Sequence, residues 1–222
     1  MISERLFSRS FTSFWKDLLP FSEVFVRGVN SRWGNVSDDA GPTDSVDRAI
    51  ANEGAIRLFR RLCCGATDNA RETELALAET AEWMKLEDYL PPAWVNEELE
   101  EMARSLVWRY GLVGIDFEPE FLGCGIVHAC TGDFLATSTL VEIKSGHRGF
   151  RSADFRQVLT YLALNYASPR HSIEAINLYN ARLNRLIELS VDNLCVQMGA
   201  DSPQEVFSTI IEFLTSGVAS GI

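Results

Sequence analysis

Two stretches of this chain alternate apolar and polar residues with a period of two, and they lie back to back. Phe134-Leu135-Ala136 follows Gly132-Asp133, and Leu140-Val141-Glu142-Ile143-Lys144 comes after Thr137-Ser138-Thr139. This is the pattern of two adjacent antiparallel strands joined by a short turn. Around them, strands are predicted over 116–122, 126–136 and 139–145, and a strand pair over 172–179 and 184–190 joined by Asn180-Ala181-Arg182-Leu183-Asn184. Apolar positions at helical spacing predict helices over 46–64 (Ile50, Ile56, Leu58, Phe59, Leu62), 70–88, 96–111 (Leu99, Met102, Ala103, Leu106, Val107, Tyr110), 152–167 (Phe155, Val158, Leu159, Leu162, Ala163, Tyr166) and 202–216. Pro91-Pro92 stops the second of these. Asn96 reads as the N-cap of the third, with Glu97 and Glu98 at its positive end and Gly111 at its close. Residues 1–35 read as an irregular, aromatic-rich start containing one helical run from Phe11 to Leu19, which Pro20 ends. Residues 36–45 read as a loop.

The order of elements places the chain in the α/β class, with a mixed sheet in a core over 93–222 and a mostly helical extension over 1–92. The length of 222 residues suits such a core with an extension, and 46% hydrophobic residues can fill it. No run of about 18 apolar residues is present, so no membrane-spanning helix is expected. The first residues lack a basic stretch followed by an apolar run, so no secretory signal is expected and the location reads as cytoplasmic. The five cysteines are odd in number and fit no zinc spacing, which points to reduced thiols.

The net charge of −11 is unevenly spread. Residues 38–120 carry 19 acidic against 8 basic residues, while 143–186 carry 7 basic against 2 acidic. A basic block thus follows directly on the strand that ends at Lys144, and phosphate affinity depends on where charge sits. Within that block His147, Arg148, Arg151 and Arg156 are the candidate nucleic-acid contacts. No Gly-rich phosphate loop occurs, which argues against nucleotide hydrolysis.

On a strand, Glu142 and Lys144 share one face, and a hairpin partner can bring Asp133 to it. Two carboxylates then meet a lysine at one edge. Hard cations such as Mg²⁺ take oxygen ligands of this kind and keep several waters. A lysine beside them can orient or deprotonate water and stabilise charge on a phosphate.

Helix, three strands, helix, strand from residue 96 onward, combined with Asp133 and Glu142-Ile143-Lys144, resembles the PD-(D/E)XK nuclease superfamily over residues 96–190. Gln157-Val158-Leu159-Thr160-Tyr161 is similar to the Gln-x-x-x-Tyr motif of its RecB-like exonucleases. Leu99-Glu100-Glu101-Met102 is similar to the first core helix of Mrr-type restriction nucleases. The resemblance implies a restriction-endonuclease-like core (α-β-β-β-α-β) and DNA hydrolysis dependent on Mg²⁺ or Mn²⁺. It implies metal ligation by Asp133, Glu142, the Ile143 carbonyl and Glu100, with Glu98 as the alternative acid. Lys144 would position the water, and Gln157 and Tyr161 would support it. Two features depart from the pattern. Gly132 stands where many members have proline, and no histidine lies on the preceding helix, His128 falling instead on the predicted strand before Asp133.

The small size and acidic surface suggest one subunit of a larger assembly with protein partners, and family analogy suggests an anti-phage defence complex. One alternative is a non-catalytic interaction subunit that keeps the nuclease fold. The other is an unrelated α/β protein with a chance triplet.

Overall fold

The computed structural model describes residues 1–33 and 45–216, so most of the loop expected over 36–45 lies outside them. Three short helices open the chain: α1 (Glu4–Arg9), α2 (Thr12–Leu18) and α3 (Ser22–Ser31). Three longer ones follow: α4 (Ser45–Cys63), α5 (Asn69–Trp83) and α6 (Ala93–Tyr110). The strands are β1 (Ile115–Phe117), β2 (Glu120–Phe121), β3 (Cys130–Thr131), β4 (Phe134–Ala136) and β5 (Thr139–Lys144). After α7 (Ser152–Ala167) come β6 (Ala175–Asn180), β7 (Arg185–Ser190), α8 (Val191–Gln197) and α9 (Pro203–Thr215).

The main sheet is five-stranded and mixed, in the order β1-β4-β5-β6-β7, and β2 and β3 form a separate two-stranded ribbon. β1, β4 and β5 pair antiparallel, as do β6 and β7, whereas β5 and β6 run parallel from Thr139↔Ala175 to Lys144↔Asn180. A parallel pair needs a crossover, and α7 supplies it. The fold is therefore α/β.

Both faces of the sheet are covered. Leu135, Leu140, Ile176 and Leu178 join one core with residues of α1–α3 and α7–α9. Phe134, Val141 and Tyr179 join a second core with residues of α4–α6. Strict alternation along β5 thus sends Leu140, Glu142 and Lys144 toward α7, and Val141 and Ile143 toward α6. α7 buries residues on all sides, including Asp154, Gln157 and Thr160. It lies between the sheet and the N- and C-terminal helices. Packing does not pause at residue 92, because α4 and α5 share the α6 core and α1–α3 share the α7 core. Among the described residues, no helix is long and apolar enough to cross a membrane.

Several boundaries move for local reasons. The strand expected over 116–122 breaks where Glu118 adopts φ 54° and Pro119 has no N–H to offer. The strand expected over 126–136 survives only as β3 and β4. Between them Gly132 N donates to Pro119 O at 3.0 Å, and Glu118 N donates to Asp133 O at 3.0 Å. A Cβ at Gly132 would lie 3.2 Å from Leu140 Cδ1 and 3.3 Å from Phe121 Cε2. Close packing thus accounts for a residue without a side chain immediately before Asp133. α6 begins at Ala93, right after Pro92, so Asn96 lies inside the helix and not at its cap. α5 stops at Trp83, just before Lys85 at φ 56°. The start of the chain is helical and not irregular, and α8 is a short helix that periodicity does not announce.

Gly125 ties the loop after β2 to α9. Its φ is +54°, and a Cβ there would lie 2.0 Å from Leu214 O. Ile126 N donates to that same carbonyl at 3.1 Å. Gly125→Ala is expected to cost about 2–3 kcal/mol of stability, read from urea denaturation against wild type. An unchanged midpoint would contradict the backbone assigned here.

Candidate active site

Asp133 stands at the break between β3 and β4, facing β5. Its Oδ2 accepts from Ile143 N at 2.5 Å, so a side chain takes a place that a backbone carbonyl fills elsewhere in the ladder. Glu142, on β5, is 1% exposed. Its Oε1 accepts from Lys144 Nζ at 2.8 Å, while its Oε2 is buried with no hydrogen-bond partner. Lys144 Nζ also donates to Gln157 Oε1 at 2.9 Å. Gln157 Nε2 in turn donates to Tyr161 Oη at 2.8 Å and to Glu4 Oε1 at 3.3 Å, and Tyr161 Oη donates to Glu4 Oε1 at 3.4 Å. Glu142, Lys144, Gln157 and Tyr161 are therefore linked in one hydrogen-bonded chain, and Asp133 meets β5 beside it through Ile143 N.

The electrostatics are strained in one direction. Burial, and next the Glu142 charge, hold the Asp133 carboxyl well above the usual carboxylate range, against the opposing pull of Ile143 N–H, Lys144 and Arg5. Burial, then Glu142, Glu4 and Asp133, push the Tyr161 phenol far up, so it remains a protonated donor at neutral pH. Its ring stacks on Phe121 with centroids 5.0 Å apart. Nearby Cys130 is a free thiol pushed up to about 12 by burial and then by Glu4 and Glu142, which leaves it uncharged.

A buried Glu142 oxygen with no hydrogen-bond partner, beside a second carboxylate of raised pKa, is an arrangement that a bound cation would stabilise. Among the described residues no group of three or more His, Cys, Asp or Glu side chains is placed to hold a metal. The side-chain donors that meet here are two carboxylates, Asp133 and Glu142. Two carboxylates are the kind of donor set through which Mg²⁺ commonly binds, its shell completed by water and phosphate oxygens.

Other expected residues lie elsewhere. Glu100 is on α6, across the sheet from Glu142 and Lys144, where its Oε1 accepts from Thr73 Oγ1 at 3.0 Å. It lines a separate cavity with Leu58, Leu62 and Val107. The alternative acid, Glu98, pairs with Arg182. Neither belongs to the Asp133–Glu142 site. Arg156 is buried, its guanidinium 3.6 Å from Glu23 and over the Trp15 ring at 5.9 Å, so it is not presented to a ligand. Arg148 forms a two-pronged pair with Asp154, at 2.8 and 3.0 Å. His147 is half-buried, 3.3 Å from Arg182, and burial followed by the Arg182 and Arg48 charges lowers its pKa. Of the four expected phosphate contacts, Arg151 alone is exposed. His128 lies in the loop between the two short strands β2 and β3, not on a strand, and no histidine joins the carboxylate pair.

The N-terminal residues Glu4 and Arg5 reach the site unforeseen. Ser3 accepts from Leu6 N as an N-cap at 3.1 Å, which is a readable helix start. Nothing local shows where that helix docks. Compared with family models, curated proteins and solved structures, the chain finds no match.

Proposed function

We propose that this chain is a divalent-cation-dependent nuclease with a restriction-endonuclease-like core, hydrolysing phosphodiester bonds of DNA. The observation that carries this reading is the pairing of Asp133 with Glu142, whose Oε2 lacks a partner, beside a lysine fixed by Gln157. The order of α6, three antiparallel strands β1, β4 and β5, the crossover α7 and a fourth strand β6 parallel to β5 supports it.

Asp133, Glu142 and the Ile143 carbonyl would hold Mg²⁺ or Mn²⁺. When bound, the cation supplies Lewis-acid stabilisation of phosphate charge and a more acidic water. The chain's own residues do the rest. Lys144, anchored at Gln157 Oε1, holds its ammonium toward the attacked phosphate and orients the water. Gln157 is kept from rotating by its bonds to Tyr161 and Glu4. The Glu142 carboxylate, 2.8 Å from Lys144 Nζ, holds the ammonium in place beside the site.

The test is incubation of purified protein with linear and circular DNA in Mg²⁺ or Mn²⁺. Cutting of both forms identifies an endonuclease, and cutting of linear DNA alone an exonuclease. A folded protein that cuts neither, nor RNA, counts against the reading.

A second reading, a non-catalytic interaction subunit, has its own support in the exposed apolar residues Trp83, Leu90, Trp108 and Val113 on and beside α5 and α6. These suit a protein partner in either case, which fits a cytoplasmic multi-component system such as an anti-phage defence complex.

A further inference from the structure

Helix α1 meets the proposed site with two consecutive residues of opposite charge. Glu4 is 8% exposed and accepts from both Gln157 and Tyr161. These bonds key α1 to α7. Ile2 fixes the residues before it, donating N–H to Ile126 O at 2.7 Å and accepting from His128 N at 3.0 Å. Phe7, one turn on, is fully buried against Phe11, Trp15 and Phe213. The height and rotation of α1 are thus set on three sides.

Arg5 is the next residue along. It lines a cleft of about 730 Å³ together with Asp133 and Gly132. Its side chain is 65% exposed, and among the described residues its one ion pair is a long contact of 3.6 Å to Glu4. The other arginines of that cleft are engaged more closely: Arg57 with Glu53 at 3.2 Å, Arg60 with Glu118 at 2.8 Å, and Arg61 with Glu72 and Glu79. Desolvation of the covered part of Arg5 lowers its pKa, but Glu142, then Tyr161, Asp133 and Glu4, act the other way and raise it. A guanidinium that lines one cleft with Asp133, with its donors largely free, is suited to a phosphate, whose oxygens match its planar fork.

We propose that Arg5 binds a phosphate of the substrate strand in the cleft it shares with Asp133, so that the N-terminal helix is part of the nuclease site. The inference rests on the nuclease reading of Asp133, Glu142 and Lys144. It places the substrate on the α1 side of Asp133 and not along residues 147–156, where most of the basic side chains are turned to protein partners.

Arg5→Ala and Arg5→Lys test it with three readouts. In fluorescence anisotropy with labelled DNA and no divalent cation, Arg5→Ala binds more weakly, and its plot of log affinity against log salt is shallower by about 1. In Mg²⁺ or Mn²⁺ it loses on the order of 10²-fold in kcat/KM. Arg5→Lys recovers part of that loss, keeping the charge without the fork. The melting temperature stays that of wild type, because the side chain is largely in solvent. Wild-type cutting with Arg5→Ala binding and cutting equally well overturns this inference and leaves the nuclease reading intact. A wild-type protein that neither binds nor cuts DNA overturns both.

Discussion

Lys144→Ala is expected to lower kcat for DNA cleavage by about 10³-fold or more, with the fold retained. Lys144 is the positive group joining Glu142 to α7, through Nζ contacts of 2.8 Å to Glu142 and 2.9 Å to Gln157. A short side chain leaves the water without an orienting donor and the developing phosphate charge without its nearest cationic partner from the chain. It also leaves Glu142 Oε1 buried and unpaired beside Asp133, so some loss of stability accompanies the loss of rate. The two effects separate by method. Denaturation reads the stability change, and single-turnover cleavage at saturating enzyme reads the chemical step. A variant cutting within a few-fold of wild type would remove Lys144 from the mechanism.

Asp133→Asn is expected to abolish cutting and, in the absence of divalent cation, to make the protein more stable. Burial and the neighbouring Glu142 hold the Asp133 carboxyl above its ordinary range, so folding at neutral pH works against its charge. An amide carries no charge, and its oxygen can still accept from Ile143 N. The expected gain is about 1–2 kcal/mol, or about 2–8 °C in Tm for a chain of this size. The sign of the pH dependence follows from a raised pKa. In wild type the penalty is absent below the ordinary aspartate range and grows as pH rises through it. The advantage of Asp133→Asn should therefore shrink on acidification. Added Mn²⁺ should raise the Tm of wild type and leave the variant unmoved. A variant less stable than wild type at pH 7 without cation would contradict the electrostatic account.

The central sheet and its crossover were legible because their periodicities are strong. Leu140 to Lys144 alternates cleanly, and 152–167 is apolar at helical spacing, so both elements appear as expected, as α7 does to the residue. Asp133, Glu142, Lys144, Gln157 and Tyr161 meet because that strand and that helix face each other. Glu100 failed for a definite reason. Helical spacing tells which side of α6 is buried, but not which face of the sheet the helix covers. α6 packs on the Val141 face, and the site is on the Leu140 face. Arg156 failed likewise, since the α3 residue Glu23 and the α2 residue Trp15 that enclose it come from more than a hundred residues upstream. Glu4 and Arg5 were invisible because their importance is wholly tertiary: a six-residue helix docks where no local pattern could direct it.

The position of the site at a break in the strand also has a structural logic. Had β3 and β4 been continuous, Asp133 would sit in a regular ladder. Glu118 in the left-handed region and Gly132 against Leu140 interrupt it, freeing the Asp133 side chain to reach Ile143 N. The interruption and the candidate chemistry are thus the same feature.

Asp133 and Glu142 together are proposed to form a cation site. Calorimetric titration of Mn²⁺ into the purified protein tests it most directly, because binding needs neither a partner subunit nor the right DNA. The account predicts one saturable site in wild type that is lost in Asp133→Asn and in Glu142→Gln, with both variants folded. No saturable binding in wild type, or equal binding in the variants, would contradict it.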